Sequence, residues 1–144
     1  MTKVMLCLFL FVTVSNLFSQ KENHKWKPLI ITESQKVWVD QTQADTITAP
    51  VFDIWVLELH QPLLTVEGIK GKVMRSKSLY QVNVLEKCYN LKSVVYYSAA
   101  NAEIARFDYD LSLMNENNRF SFPVYEESVI DKIIRSIFIR TAEY

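Results

Sequence analysis

A chain of 144 residues with 49% hydrophobic and 22% charged content holds enough apolar material for one core, which excludes global disorder. Its 16 basic and 16 acidic residues cancel, so no bulk field draws it to nucleic acid or anionic lipid. With only two glycines, Gly68 and Gly71, neither a phosphate-cradling loop nor a dinucleotide fingerprint can be written.

The first nineteen residues read as a secretory signal. Lys3 supplies a short positive region, and Val4 to Val14, VMLCLFLFVTV, is an apolar run too short to span a bilayer. The break SNLFSQ places cleavage between Ser19 and Gln20. Cys7 lies inside the apolar run, too early for a lipoprotein cysteine, and leaves with it. The remaining residues, 20–144, read as one exported domain, located in the periplasm, at the cell surface or outside the cell, with no integral membrane span. Its single cysteine, Cys88, cannot form an internal disulfide and reads as a small buried apolar side chain, the alternative being a thiol that pairs between chains or is modified.

After a polar lead-in, Gln20 to His24, the first strand is predicted over Trp26 to Ile31, with Pro28 suited to an edge. Gln35 to Asp40 alternates as a second strand, and Gln41 to Pro50 reads as a loop. Val51 to His60 is the clearest strand. Phe52, Ile54, Val56 and Glu58 share one face, while Val51, Asp53, Trp55, Leu57 and Leu59 share the other. Both faces are largely apolar, which predicts a central strand. Gln61 to Arg75 carries Pro62 and both glycines and reads as a long loop. Ser76 to Leu85 and Cys88 to Ser98 read as a hairpin turning at Glu86 and Lys87, followed by a weaker strand over Ile104 to Leu111 and a turn over Met114 to Arg119. From Glu126 the period changes. Val129, Ile130, Ile133, Ile134, Ile137 and Phe138 fall at helical spacing, with acids near the start and Arg135 and Arg140 near the end. β-branched residues are mediocre helix formers, so this helix must dock its stripe to persist. The predicted class is α+β: an antiparallel sheet of about six strands packed against a C-terminal helix.

The chemistry of a catalyst is sparse. His24, His60 and Cys88 make no recognisable metal motif. A Ser–His–Asp arrangement is formally open through His60, but no G-x-S-x-G elbow exists. Asp108 and Asp110 read as a solvated pair that alternatively offers carboxylates to a calcium ion. Lys70, Lys72, Arg75 and Lys77 form a basic cluster in the predicted loop, the candidate contact surface for a protein partner. Trp38, Trp55, Tyr80, Tyr89, Tyr96 and Tyr97 are candidate interface anchors or core fillers.

The ordered set Trp26, VWVD at Val37 to Asp40, FDIWVL at Phe52 to Leu57, SKSLYQVN at Ser76 to Asn83, YNLKSVVYY at Tyr89 to Tyr97, and FPVYEES at Phe122 to Ser128 resembles the surface-adhesin protein E family. The resemblance runs from about Trp26 to Ile137. It implies an antiparallel sheet backed by a C-terminal helix, export to the cell envelope or surface, no enzymatic activity and no cofactor. It also implies binding of host extracellular proteins such as plasminogen, vitronectin and laminin. The chain departs from the family type in having one mature cysteine, where the type leads us to expect a disulfide pair. The leading expectation is therefore an adhesin-like, non-enzymatic binding module. The alternative is a structural or assembly component of the bacterial envelope that acts as a homodimer or larger homo-oligomer.

The export reading makes one direct prediction. The intact mass of exported protein should begin at Gln20; a mature species that retains Met1 to Ser19 overturns it.

Overall fold

The computed structural model describes residues 23–113 and 122–139. The predicted signal segment 1–19 and the whole of the predicted turn, residues 114–119, lie outside them. Along the chain come β1 (Trp26–Ile31), β2 (Lys36–Asp40), a one-turn helix α1 (Gln41–Ala44), β3 (Val51–Leu64), β4 (Val73–Asn83), β5 (Cys88–Tyr97) and β6 (Glu103–Asp108). A 3-10 turn at Leu111–Leu113, the short β7 (Phe122–Pro123) and helix α2 (Val129–Phe138) complete the order. The sheet is an antiparallel meander, β1-β2-β3-β4-β5-β6, and β7 pairs with β5. The α+β class and the C-terminal helix are as the sequence predicts.

Directly opposed residues of antiparallel strands share a face, so the register assigns every side chain to a side. Val39, Val56, Ser78, Val94 and Phe107 form one cross-strand row; Phe52, Val82, Tyr89 and Phe122 form another. Helix α2 docks on this side. Ile130 and Ile133 bury against Ile30, Val37, Val39, Phe52, Ile54, Val56 and Val82, in one core. All its predicted stripe residues lie in or against that core. Ser128 caps the helix by accepting from the backbone N–H of Asp131 at 3.3 Å, and the Asp131 carboxylate accepts from the N–H of Glu127 at 3.0 Å. This reciprocal capping satisfies donors that would otherwise be orphaned at the helix start. Arg135 pairs with Asp131 one turn earlier at 2.9 Å, in the order the helix dipole favours.

Two boundaries differ from the sequence expectation. Gln41 begins a helical turn because Asp40 caps it, accepting from the N–H of Thr42 at 2.9 Å. The β2–β3 ladder ends at the Val39–Val56 pair, and Gln43 Oε1 then accepts the N–H of Trp55 at 2.8 Å. The helical turn thus replaces the missing strand partner. The predicted loop Gln61 to Arg75 shrinks to residues 65–72, because β3 runs to Leu64 and β4 starts at Val73. The register slips between Leu59 and Leu64. Pro62, which cannot donate to a ladder, falls in that irregular stretch, so the strand survives it. At the hairpin tip Gly71 has φ 105°, and a β-carbon there would lie 4.0 Å from Ile104 Cδ1 of β6. The tip therefore leans toward β6.

The docking of α2 is testable. Ile133 is fully buried, whereas Ile139 at the helix end is 55% exposed. Ile133→Ala should cost about 2–5 kcal/mol in urea unfolding, and Ile139→Ala no more than about 0.5 kcal/mol. Equal midpoints for the two variants would show that the helix does not hold the core.

Candidate functional site

The four basic residues singled out by sequence do not share one loop. Lys70 and Lys72 sit at the exposed hairpin tip, where Lys72 Nζ donates to Thr65 Oγ1 at 2.5 Å. Arg75 and Lys77 belong to β4 and point to the side of the sheet opposite α2. There the Arg75 guanidinium lies 4.9 Å from the centre of the Tyr97 ring, and Lys77 Nζ lies 4.7 Å from that of Trp55. Lys77 is only 7% exposed. Its cation rests on an aromatic face, an attraction that strengthens as water is removed. The placement in a flexible loop is thus corrected for Arg75 and Lys77. The alternation Val73, Arg75, Lys77, Leu79 against Met74, Ser76, Ser78, Tyr80 carried the strand signal, and the run of positive charge obscured it.

Trp55 also meets His24, at 5.5 Å between ring centres, and His24 lies 4.9 Å from Trp26. The His24 ring is fixed by Asp40, with Nδ1 2.8 Å from Oδ2. Both oxygens of this buried carboxylate are engaged, one by His24 and one by the cap of α1. Held at both oxygens, this carboxylate satisfies its acceptors and ties the start of the described chain to the sheet.

On the helix side His60 Nε2 lies 2.9 Å from Ser76 Oγ. This is the pairing that a nucleophile and base require. Among the described residues, however, His60 has no carboxylate partner, and Ser76 is a buried member of a regular ladder. The contact ties β3 to β4 where their register begins to slip. No group of three His, Cys, Asp or Glu among the described residues is arranged to hold a metal. Asp108 ends β6, and Asp110 lies beyond it, accepting from the N–H and hydroxyl of Ser112, which hold its carboxyl below the usual range. Cys88 is a half-buried free thiol. Burial and the neighbouring Glu86 carboxylate push its pKa up, away from thiolate reactivity.

The largest uncommitted feature is aromatic. The core beneath α2 includes residues of β1 to β4 and none of β6. At its margin, on the same side, Tyr80 and Tyr89 pack against the core and meet edge-on at 5.7 Å, Tyr89 stacks on Phe122 at 5.5 Å, and Tyr96 meets Phe107 at 6.3 Å. Phe107 is 43% exposed, Phe122 50% and Tyr125 70%. Burial pushes the Tyr80 phenol up, against an opposing hydrogen bond with Ser78. Burial also raises Tyr89 and Tyr96, helped by Tyr125 and Tyr109 respectively. The hydroxyls of this strip are therefore neutral donors at physiological pH. Sequence reasoning picked out Tyr80, Tyr89 and Tyr96 and missed Phe107, Phe122 and Tyr125. Alternation placed Phe107 on a strand face, but nothing local said that the helix would stop short of it.

Comparison with family models, with curated proteins and with solved structures finds no match.

The raised phenols give a pH prediction. A group whose folded pKa lies above its unfolded value stabilises below the unfolded value and loses that contribution as pH rises. Stability should therefore decline above the ordinary phenol value of 10.0. Tyr80→Phe should make that alkaline limb shallower without abolishing it, since Tyr89 and Tyr96 are also raised. Chemical denaturation between pH 8 and 11 is the measurement; an unchanged slope would remove Tyr80 as a cause.

Proposed function

We propose that this protein is an exported, non-enzymatic binding module that contacts a protein partner through the aromatic strip beside α2. The observation that carries the reading is the exposure of Phe107 on β6 and Phe122 on β7, strands that contribute nothing to the buried core, with Tyr125 exposed in the turn that leads into α2. Water-exposed aromatics of this size cost free energy unless a partner removes them from solvent, and grouped exposed apolar side chains mark interaction surfaces. Tyr and Phe bring large contact area at small conformational cost, and the neutral hydroxyls of Tyr89 and Tyr96 supply directional bonds at the rim. Lys70 and Lys72 at the hairpin tip add a charged contact that can meet an acidic partner without disturbing the core. The resemblance to surface-adhesin protein E supports extracellular matrix proteins or plasminogen as partners. No helix among the described residues is long and apolar enough to cross a membrane.

Binding of the exported protein to immobilised laminin, vitronectin and plasminogen tests the reading. The double variant Phe107→Ser, Tyr125→Ser should weaken binding at least tenfold, as loss of interface anchors does. Lys70→Ser with Lys72→Ser should have a smaller effect that fades at high salt. Unaltered binding by the aromatic variant would reject the strip as the contact surface.

A further inference from the structure

The two edges of the sheet differ. β1 carries Pro28, and its register slips between Pro28 and Ile30. The proline disfavours addition of another strand; the slip does not separate the edges, since the β5–β6 register also shifts once, between Tyr96 and Tyr97. β6, the opposite edge, has no proline and extends for six residues, about 20 Å of backbone. Among the described residues no strand pairs with its outer side. Alternate N–H and C=O groups of an edge strand point outward and require a partner or water.

The side chains of β6 divide sharply. On the helix side Phe107 stands beside the small Ala105 and against Tyr96, at the margin of the exposed aromatic strip. On the opposite side Arg106 and Glu103 neutralise each other in a two-pronged pair, with contacts of 3.0 and 3.1 Å. Asp108 is exposed and has no ion-pair partner among the described residues, so the end of the edge is acidic, with ionised Asp110 just beyond. Backbone, apolar surface and charge thus converge on one strip of surface.

Building on the reading of this protein as a binding module, we infer that β6 is a strand-addition site for an extended segment of a partner protein. The segment alternates aliphatic or aromatic residues, which cover Phe107 and Ala105, with polar residues, and it places a lysine or arginine against Asp108. Main-chain pairing supplies affinity, while the aromatic strip and the carboxylate set register and direction. The acidic end of the edge, at Asp108, favours a basic residue at that end of the segment, while the tip that carries Lys70 and Lys72 lies at the other end, beside Ile104.

The probe is an end-blocked seven-residue peptide in which valines alternate with threonines and lysines, titrated into the isotopically labelled full chain. Saturable shifts and new protection from hydrogen exchange should appear at backbone amides of β6. N-methylation of alternate peptide residues removes donors from one strand edge and should weaken binding at least tenfold. Asp108→Lys, an exposed change, should weaken the lysine peptide at least fivefold and favour a glutamate version of it. Equal binding by the N-methylated peptide, or by the Asp108→Lys protein, overturns the inference. So do shifts confined to the tryptophan face or to α2, absence of binding at millimolar peptide, and a solution dimer formed through β6, which would give the edge to a second copy. If these tests fail while Phe107→Ser with Tyr125→Ser still abolishes matrix-protein binding, strand addition falls and the aromatic contact stands. If the peptide binds as described and the matrix proteins do not, strand addition stands and the choice of partner falls.

Discussion

Everything else in this protein follows from the docking of one ten-residue helix on one side of a six-stranded meander. Ile130 and Ile133 are the knobs, and Val37, Ile54 and Val82 are among the fully buried side chains that receive them. A helix of that length spans about 15 Å. Six strands at their usual spacing span about 24 Å. The helix therefore cannot cover the whole sheet. The core condenses over β1 to β4, and the margin of β5, β6 and β7 is left to be closed by tyrosines and phenylalanines that also face water. The candidate interface is a geometric remainder of the fold.

The opposite side solves a different problem. It has no helix described over it, yet Val73 and Val95 are fully buried there and Lys77 nearly so. Long amphipathic side chains make this workable. Trp55 accepts the Lys77 ammonium on its ring, Tyr97 accepts the Arg75 guanidinium, and Lys92 reaches Asp53 at 2.5 Å. Lys92 can do so because the β4–β5 register shifts beside it, between the Leu79–Ser93 and Tyr80–Leu91 pairs, leaving it as the extra residue. The tryptophan face thus combines apolar area with cations that are spoken for, which is why the exposed aromatic strip on the other side is the better surface for a partner.

Strand identity was legible because alternation survives in a chain with so few glycines. β1, with bounds Trp26–Ile31, and α2, over Val129–Phe138, sit where the periodicity placed them. The errors cluster where side-chain chemistry masks the period. Lys70 to Lys77 reads as a basic loop because charge and glycine coincide, although Val73, Arg75 and Lys77 already alternate within β4. Gln41 to Ala44 reads as loop because four residues carry no period, and only the Asp40 cap makes them helical.

The sequence by itself determined the antiparallel α+β class, the two faces of β3 and the need for a terminal helix, because each rests on periods of two or 3.6 residues within one segment. Only the tertiary structure decided which aromatics stay in water, which cations lie on rings and which edge is open. Those depend on how far α2 reaches, on the slips of register near Leu59 and Lys92, and on the partner that Asp40 finds sixteen residues away in His24. Such outcomes are set by distances between elements, and no local pattern of residues encodes them.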